Sequence, residues 1–416
     1  MNERARAAQW LAQIASDPNR TIDRLVSRNE LTPLERNLVY GVARHYFSLS
    51  AWVSGFLQKP IREKDQDVQH LLLVGAYQLQ YLNVPAHAAV NETVNAVKAL
   101  RKPWARALVN GVMRNLAKSD SYERSFEMPV WLRSQIEAQY EGASDLMRAL
   151  NERAPMSLRI NTRRTTADEY LAGLPNAHQR TWQPETIVLD APVTQTSLPG
   201  YSEGKVAVQD AGAQCAAGLL DLPQSPAIWL DACAAPGGKL FHGLERYPLS
   251  SAHAVELSPK RAAGLAEQAD RLGHTGRFDL HIGDATQPER WWDGTFYDRI
   301  LIDAPCSGTG TLRRNPDIKL HRTEAVLTQH TGLQAALLAR LWPLLKPGGS
   351  LLYCTCSILR QENDAIIEQF VSTTSGARVV PLNLPTGAAT PNGWQLLPTD
   401  PRTDGFFFAR LEKDAT

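Results

Sequence analysis

Apolar residues follow three different patterns along the chain. In residues 1–128 they recur at helical intervals, as at Trp10 and Ile14, which predicts a domain built from helices alone. Residues 129–204 combine an amphipathic helix with short runs of alternating apolar and polar positions, which predicts a small α+β insert. In residues 205–416 apolar strands alternate with helices, and this alternation predicts an α/β domain with a doubly wound parallel sheet.

The pattern also predicts individual elements. In the last part, strands are expected at 228–232, 252–257, 279–282, 297–303, 350–355, 378–381 and 405–411, and helices from about 239 and over 259–272, 324–345 and 362–371. In the insert, strands are expected over 156–162 and 186–190, with a short helix over 166–174.

One helix start in the first part is specified in detail. Thr32 is a typical cap residue, Pro33 suits the first helical position, and Glu35 stands where it completes a capping box. A helix is therefore expected to begin at Pro33.

Charge is distributed unevenly along the chain. The 416 residues carry a net charge of only +1, but in residues 1–125 Lys and Arg outnumber Asp and Glu by 17 to 11. The stretch Thr93–Lys118 has no acidic residue, and it contains Trp104 and the cations Lys98, Arg101, Lys102, Arg106, Arg114 and Lys118. Such a stretch can follow a phosphate backbone, although a solvated helix face would have the same composition.

Composition excludes several classes of protein. The 5 cysteines are an odd number and include no Cys-x-x-Cys, which argues against a disulfide framework and against a metal site. The first ten residues lack the apolar core of a secretory signal, and no apolar run reaches the ~18 residues that span a membrane. We therefore expect a cytoplasmic protein, and the lack of a self-complementary apolar element favours a monomer.

Four predicted strand ends carry acidic residues or glycines. They are the loop 233–239, Glu256, Gly283-Asp284 and Asp303. Because parallel strands end at one edge of a sheet, and carboxylates at that edge bind ribose or adenine, a nucleotide-like ligand is predicted. The loop is neither Gly-x-Gly-x-x-Gly nor a P-loop. S-adenosylmethionine, which has an adenosine but no phosphates, fits it better.

Two cysteines follow strand ends at the same edge. Cys306 follows Asp303-Ala-Pro and Cys356 follows Thr355, whereas Cys215 and Cys354 lie among apolar residues and are expected to be structural. Two thiols beside a methyl donor suggest methylation of a pyrimidine carbon. A thiolate that adds to C6 of cytosine makes C5 nucleophilic, and a base then removes the C5 proton. Because a free cysteine has a pKa of about 8.5, the attacking thiol has to be activated by helix termini or cations.

These motifs resemble those of a known family. The chain is similar to the RNA 5-methylcytosine methyltransferases of the Sun family in Asp231-Ala-Cys-Ala-Ala-Pro-Gly-Gly-Lys239, Asp303-Ala-Pro-Cys-Ser-Gly-Thr-Gly310, Arg313-Arg-Asn-Pro-Asp-Ile-Lys319, Tyr353-Cys-Thr-Cys-Ser-Ile358 and Asp404-Gly-Phe-Phe-Phe-Ala-Arg-Leu411. In the first part, residues 85–98 and 107–116 resemble the NusB-type helical RNA-binding domain. In that part Gly111 is expected where two helices approach closely. The resemblance extends over nearly the whole chain.

The resemblance implies a Rossmann-like, S-adenosylmethionine-dependent domain and assigns its residues. The methionine end of the donor would be held by Cys233, Ala234, Ala235, Pro236, Gly237, Gly238 and Lys239. Glu256 would bind the ribose and Asp284 the adenine, while Asp303 would lie between the donor and the target base and serve in both donor binding and catalysis. Cys356 would be the nucleophile, and Cys306 would assist proton removal or product release.

The implied substrate is bacterial 16S rRNA, methylated at C5 of the cytosine numbered 967. Two alternatives stay open. The same chemistry on tRNA is disfavoured by the NusB-like part, and a non-catalytic RNA-binding or antitermination factor has no need of Cys306, Cys356 and Asp303.

Further basic residues are candidates for RNA contact. Phosphates around the target base are expected to meet Arg313, Arg314, Lys319 and Arg322, although a solvated basic loop would contain the same residues. Residues Arg159, Arg163 and Arg164 either face nucleic acid or lie on a plain surface.

Overall fold

The chain forms two compact units. The structure is a computed structural model that describes residues 2–124, 127–174 and 178–415, with the backbone alone for 178–180. One unit consists of Met1–Glu152 and Leu312–Thr323, and the other of Arg153–Thr311 and Glu324–Thr416. The part Leu312–Thr323 is called the inserted segment below, because it belongs to the first unit although the chain on both sides of it belongs to the second.

The first unit is helical, as predicted. Its helices are α1 (Glu3–Ser16), α2 (Ile22–Val26), α3 (Pro33–Arg44), α4 (Tyr46–Ser54), α5 (Gln66–Tyr81), α6 (Ala86–Ala99), α7 (Ala105–Leu116), α8 (Val130–Gln139), α9 (Ala143–Ala149) and, in the inserted segment, α14 (Ile318–His321). The centre is α5, whose residues 71–76 are all buried and which contacts α1, α3, α4, α6 and α7. Burial of these apolar stripes is the main source of stability in such a bundle.

The predicted capping box at the start of α3 is confirmed. The Thr32 hydroxyl accepts from the Glu35 N–H at 3.2 Å, and the Glu35 carboxylate accepts from the Thr32 N–H at 3.0 Å. The same buried carboxylate accepts from Arg6 at 2.5 Å. One acidic residue therefore caps α3 and joins it to α1.

The expected close approach at Gly111 is wrong. Gly111 is exposed, and a Cβ there would have no neighbour within 4 Å. The close approach is at Gly75, where a Cβ would lie 2.5 Å from the Met113 sulfur. The buried face of α7 is formed by Val109, Val112 and Met113, which leaves Gly111 on the solvent side.

Buried polar side chains hold the inserted segment in the first unit. The Asp317 carboxylate accepts from the Ile22 N–H at 3.1 Å, at the start of α2. The Lys319 ammonium donates to the Arg44 carbonyl at 2.5 Å and to Oδ1 of Asn151 at 3.1 Å.

This packing corrects part of the predicted phosphate site. Arg313 and Lys319 are buried, with 1% and 4% of their surface exposed, so neither can bind a phosphate on the surface. Arg314 and Arg322 are partly buried. The sequence shows that this segment is basic, but it does not show which of its basic side chains are buried. The prediction that Arg313 and Lys319 bind phosphate was wrong for this reason.

The second unit begins with a small antiparallel sheet. Its strands are β1 (Met156–Ile160), β2 (His178–Arg180), β3 (Thr186–Leu189) and β4 (Val206–Val208), in the order β2-β3-β1-β4, with α10 (Ala167–Ala172) after β1. The sequence predicted β1, α10 and β3. It missed β2 and β4, which are only three residues long.

The larger sheet of this unit has the order β11-β12-β13-β9-β8-β5-β6-β7, with β10 also paired to β13. Its strands are β5 (Ile228–Asp231), β6 (Ser251–Glu256), β7 (Phe278–Ile282), β8 (Tyr297–Asp303), β9 (Leu345–Thr355), β10 (Ala377–Val380), β11 (Ala388–Thr390), β12 (Gly393–Leu396) and β13 (Phe406–Lys413). The helices are α11 (Ala211–Leu219), α12 (Gly238–Arg246), α13 (Pro259–Leu272), α15 (Glu324–Leu341) and α16 (Asp364–Thr373). Strands β5 to β9 are parallel and β13 is antiparallel to β9.

The predicted fold class is confirmed. Helix α13 and strand β8 have the predicted bounds. Helix α15 ends at Leu341, four residues early, because Pro343 lies in the 3₁₀ turn Trp342–Leu344 that follows. The short strands β11 and β12 have no counterpart in the sequence-based prediction.

Candidate active site

The larger sheet brings the predicted acidic residues to one edge. Parallel strands β5, β6 and β8 end at Asp231, Glu256 and Asp303, and β9 ends at Thr355. Asp303 pairs in register with Cys354, one residue before Thr355. The loops after these strands, including both cysteine loops, therefore start from the same edge.

The loop after β5 is a tight turn that leads directly into α12. Gly237 has φ +99°, and a Cβ there would lie 2.2 Å from Cε2 of Phe241, so the turn requires glycine. Helix α12 starts at Gly238, and its N-terminus has no side-chain cap among the described residues. Its first N–H groups are thus suited to bind a negatively charged ligand group.

Arg159 supports this loop from inside the unit. Its buried guanidinium donates to the Gly238 carbonyl at 2.7 Å and binds both carboxylate oxygens of Glu245 at 2.8 and 2.9 Å. The expectation that Arg159 faces nucleic acid or a plain surface is therefore wrong. Its partner lies 86 residues later on α12, and no local pattern shows such a pair. Arg163 and Arg164 are exposed.

Glu256 is already engaged in the structure. Its oxygens accept from the Ser258 N–H at 2.9 Å and from Arg261 at 3.2 and 3.3 Å. Only 2% of its surface is exposed. Arg261 also donates to the Ala235 carbonyl, so one guanidinium joins the predicted ribose-binding residue to the donor loop.

Asp284 is held in a hydrogen-bonded turn. It accepts from the Thr286 N–H at 2.9 Å, the Thr286 hydroxyl at 2.7 Å and the Gln287 amide at 3.1 Å. Burial tends to raise the pKa of Asp284, but these donors outweigh it and the pKa is lowered. Two large apolar side chains, Leu257 and Ile282, are 69% and 58% exposed just beyond Glu256 and just before Gly283-Asp284.

A partly buried ion pair joins the donor loop to β8. The Lys239 ammonium donates to Asp303 at 2.6 Å. Burial alone would lower the pKa of Lys239, but attraction to Asp303, and more weakly to Cys354 and Cys356, raises it. Burial, followed by repulsion from Asp303, raises the pKa of Asp231 to about 7. Lys239 therefore keeps a positive charge beside both the donor loop and the cysteines.

The cysteine loops place two sulfur atoms in contact. Sγ of Cys306 lies 3.4 Å from Sγ of Cys356. The hydrogen bond with Cys356, and then burial, raise the pKa of the Cys306 thiol well above its ordinary value. Cys354 is fully buried within β9 and Cys215 within α11, and burial raises the pKa of both thiols, that of Cys215 to about 12. Their prediction as core residues is confirmed.

Comparison with known proteins identifies the family. Three family models match successive parts of the chain: the NusB family over residues 1–118, the RsmF/B-like ferredoxin-like domain over 128–196, and 16S rRNA methyltransferase RsmB/F over 218–412. The Ribosomal RNA small subunit methyltransferase B of Pseudomonas syringae pv. tomato is 42% identical over 442 residues, covering 100% of this chain and 98% of the relative. The protein of the same name from Pseudomonas putida is 40% identical over 438 residues, covering 100% and 99%. The chain belongs to the ribosomal RNA small subunit methyltransferase B family.

A solved structure has the same fold. The crystal structure of PH0851 is 22% identical, covers 99% of both chains and has a TM-score of 0.84. Together with the family models, this confirms the NusB-like first part and the Rossmann-like methyltransferase sheet that the resemblance implied, and the small α+β insert that the pattern predicted.

Several residues around the site of this methyltransferase were not predicted from sequence. Arg159 is too far along the chain from its partner Glu245 for a motif to reveal it. Arg261 follows its partner Glu256 by only five residues, but the pair matches no motif used in the sequence analysis. Leu257 and Ile282 could have been found, since each is a large apolar residue next to an acidic or glycine-containing strand end.

Two classes of feature are absent from the part of the chain that the structure describes. Among those residues no helix is both long and apolar enough to cross a membrane. They also contain no group of three or more His, Cys, Asp or Glu arranged to hold a metal ion.

Proposed function

We propose that this family member transfers a methyl group from S-adenosylmethionine to C5 of a cytosine in 16S rRNA, the cytosine numbered 967 in the family. The observation that carries the proposal is the pair of sulfur atoms, Cys306 and Cys356, 3.4 Å apart at the edge that bears the donor loop. A thiol pair at this position suits a reaction in which one sulfur adds to the base and must later leave it.

The donor is proposed to lie along the ends of β5, β6 and β7. Its methionine part would meet the loop 233–239 and the free N–H groups of α12, and its adenine would meet Asp284 between the exposed side chains of Leu257 and Ile282. Ribose binding by Glu256 requires the Arg261 guanidinium, which occupies its oxygens, to move aside. The bound donor supplies an electrophilic methyl group.

The protein supplies the chemistry at the base. The thiolate of Cys356 forms a bond to C6, and C5 then takes the methyl group as the bond between that group and the donor sulfur breaks. A base takes the C5 proton with the assistance of Cys306, the C5–H electron pair forms the C5–C6 double bond, and the C6–S bond breaks as its electron pair returns to sulfur. The raised pKa of Cys306 keeps one thiol of the pair protonated, and the assignment of Cys356 as the attacking sulfur follows from the resemblance of its Thr-Cys-Ser motif. Attraction to Cys356 contributes to the raised pKa of Lys239, which keeps its positive charge near the two thiols.

Asp303 is proposed to contact both partners of the reaction. In the structure one of its oxygens accepts from Lys239 at 2.6 Å, and its side chain is about one-third exposed. The exposed part is free to bind the donor or the 4-amino group of the flipped-out cytosine, which must leave its stack to reach the thiols.

The RNA is proposed to bind also on a basic face of the first unit, formed by α6 and α7. A groove of about 710 Å³ is lined by Asn91, Trp104 and Arg106, and a second groove, of about 370 Å³, shares Asn91 and is lined by Arg114 and Lys118. Half of the Trp104 surface is exposed. Amide groups can read base edges, the indole can stack on a base and the cations can bind phosphates. Lys102 is not proposed to bind phosphate, because its ammonium already forms ion pairs with Asp65 and Asp67.

The remaining assignments follow from this substrate. Residues 1–128 would bind RNA, residues 129–204 would connect the first part of the chain to the last, and residues 205–416 would catalyse methyl transfer. An enzyme that modifies ribosomal RNA acts where that RNA is made and assembled, in the bacterial cytoplasm, and we propose that one chain is sufficient.

A trapping assay tests the proposed function. Labelled donor and 16S rRNA are incubated with the wild-type enzyme, Cys356→Ala and Cys306→Ala, with tRNA as a competing substrate. We expect Cys356→Ala to lose methylation and Cys306→Ala to accumulate a covalent protein–RNA adduct. The reverse pattern would exchange the two roles, and methylation that survives both substitutions would exclude the thiol mechanism.

A further inference from the structure

Two consecutive residues lie behind the cysteine loops. Glu362 and Asn363 precede α16, and both are buried. Neither belongs to the predicted site. Asn363 hydrogen-bonds the residues on either side of Cys356, and Glu362 bonds Ser307 directly and reaches Pro305 through Gln334, so the loop geometry around both thiols depends on this pair.

Glu362 holds the loop that contains Cys306. Its carboxylate accepts from the Ser307 N–H at 2.7 Å and from the Ser307 hydroxyl at 2.5 Å. It also accepts from the Gln334 amide at 3.2 Å, and that same amide donates to the Pro305 carbonyl at 2.9 Å. The peptide groups on both sides of Cys306 are thereby fixed to one buried carboxylate and its partner on α15.

Asn363 holds the loop that contains Cys356 in the same manner. Its Oδ1 accepts from the Thr355 hydroxyl at 2.6 Å, and its Nδ2 donates to the Ser357 carbonyl at 3.0 Å. The residues before and after Cys356 are thus bound to one amide group, whose orientation is fixed further by a hydrogen bond to Gln395 at 2.9 Å.

The two loops are also joined to each other. The hydroxyls of Ser307, Thr309 and Ser357 lie 3.1 to 3.3 Å apart, and the Gly310 N–H donates to the Cys356 carbonyl at 2.9 Å. A buried network of this kind defines one arrangement, because every broken bond leaves an unsatisfied polar group.

We propose that Glu362 and Asn363 are positioning residues, Glu362 for Cys306 and Asn363 for Cys356, which together set the distance between the two thiols. This inference rests on the proposed function, since it assigns each residue to one step of that reaction. Asn363 serves the attack on C6, and Glu362 serves the step that releases the methylated base. Neither side chain contacts substrate in this assignment.

The test measures adduct formation and release separately. In Glu362→Ala we expect the covalent RNA adduct to accumulate although Cys306 is intact, with release slowed roughly tenfold to a hundredfold, because a misplacement of about 1 Å can have an effect of that size. In Asn363→Asp, which retains the acceptor for Thr355 but loses the donor to Ser357, we expect adduct formation to slow by a similar factor. Donor affinity, measured by calorimetry, should stay within about twofold of the wild-type value in both, since a 0.4 kcal/mol change corresponds to that factor.

Matched variants separate positioning from a general structural effect. Glu362→Gln retains an acceptor for the Ser307 N–H and should restore release towards the wild-type rate. Glu368→Ala, at an exposed position of α16, should change nothing. If Glu362→Ala fails to fold, Gln334→Met removes the bond to Pro305 from the other side of Cys306 and should also slow release.

The outcomes distinguish this inference from the proposed function. If Cys306→Ala itself yields no adduct with cytosine-containing RNA, the proposed function fails. If Cys306→Ala accumulates adduct but neither Glu362→Ala nor Gln334→Met does, the positioning role of Glu362 is excluded while the function stands. If every variant slows adduct formation and adduct release by the same factor, Glu362 and Asn363 have only a structural role.

Discussion

At the level of single residues, the donor loop provides a prediction. Gly237→Ala would place a Cβ 2.2 Å from Phe241 at a φ of +99°, so we expect roughly tenfold weaker donor binding and a loss of stability of about 1–3 kcal/mol. Calorimetry with S-adenosylmethionine and thermal unfolding measure the two effects.

Gly264→Ala is the matched control. Gly264 lies in α13, and a Cβ there would have no neighbour within 4 Å. Alanine should leave donor binding unchanged and stabilise the helix by about 0.5–1 kcal/mol. Equal donor affinity in both variants would contradict the assignment of the loop.

The sequence was informative about single residues where chemistry requires a particular residue type beside a strand end. The acidic residues, the glycines of the donor loop and the two cysteines were found in this way, and their assigned roles stay predictions. Arg159 and Arg313 were misjudged, because they looked like surface cations and are buried. Glu245, the partner of Arg159, lies 86 residues away and is brought close only by the tertiary fold.

At the level of elements, helices with a complete start signal and strands that are long and apolar were predicted well. Helix α3 begins at Pro33 with its capping box, and α13 begins at Pro259 after the Ser258 cap. Short elements were missed. Strands β4, β11 and β12 have three or four residues each, and they form because a neighbouring strand offers hydrogen bonds, which a local pattern does not show.

The basic face of α6 and α7 gives an element-level prediction. Replacing Arg106, Arg114 and Lys118 by alanine should weaken binding to an rRNA fragment and reduce the slope of log K against log salt by about 2, since each phosphate contact on a single strand contributes about 0.7. The measurement is a salt titration of binding.

Three ion-paired surface cations of the second unit provide the control. The triple alanine variant of Arg340, Lys346 and Arg378 removes the same net charge and should leave the slope unchanged. If the α6–α7 variant has the wild-type slope, this face does not bind RNA and a protein partner becomes the better occupant.

At the level of the whole molecule, the periodicity predicted a helical part followed by an α/β part, but not that the chain passes from the second unit to the first and back at the inserted segment. Apolar spacing describes what each stretch forms. It contains no information on which core a short basic stretch joins. The inserted segment was accordingly interpreted as an RNA-binding loop of the catalytic part.

Lys319 makes the stability of the molecule depend on pH. Burial lowers its pKa from 10.5 to about 7. Between these values the unfolded chain holds a proton that the folded chain lacks, so stability rises with pH through this window, by up to about 1.4 kcal/mol per unit for this one group. Below pH 7 both states are protonated, and the dependence on this residue ends.

Lys319→Met tests this dependence. The free energy of unfolding of the variant should lack the Lys319 contribution. As the pH rises from 7 to 9, the free energy of unfolding of the wild type should therefore increase relative to that of the variant. Denaturant unfolding at several pH values measures it. A difference that stays constant over this range would mean that Lys319 remains charged in the folded protein.

The inserted segment has a consequence for how the chain folds during synthesis. A domain that is contiguous in sequence can finish folding as soon as it has left the ribosome, before the next domain is synthesised. Here the helices of the first unit emerge early, yet the residues that cover Ile22 and Arg44 are made only at positions 317 and 319. The first unit therefore keeps part of its surface uncovered until residue 319 has been translated.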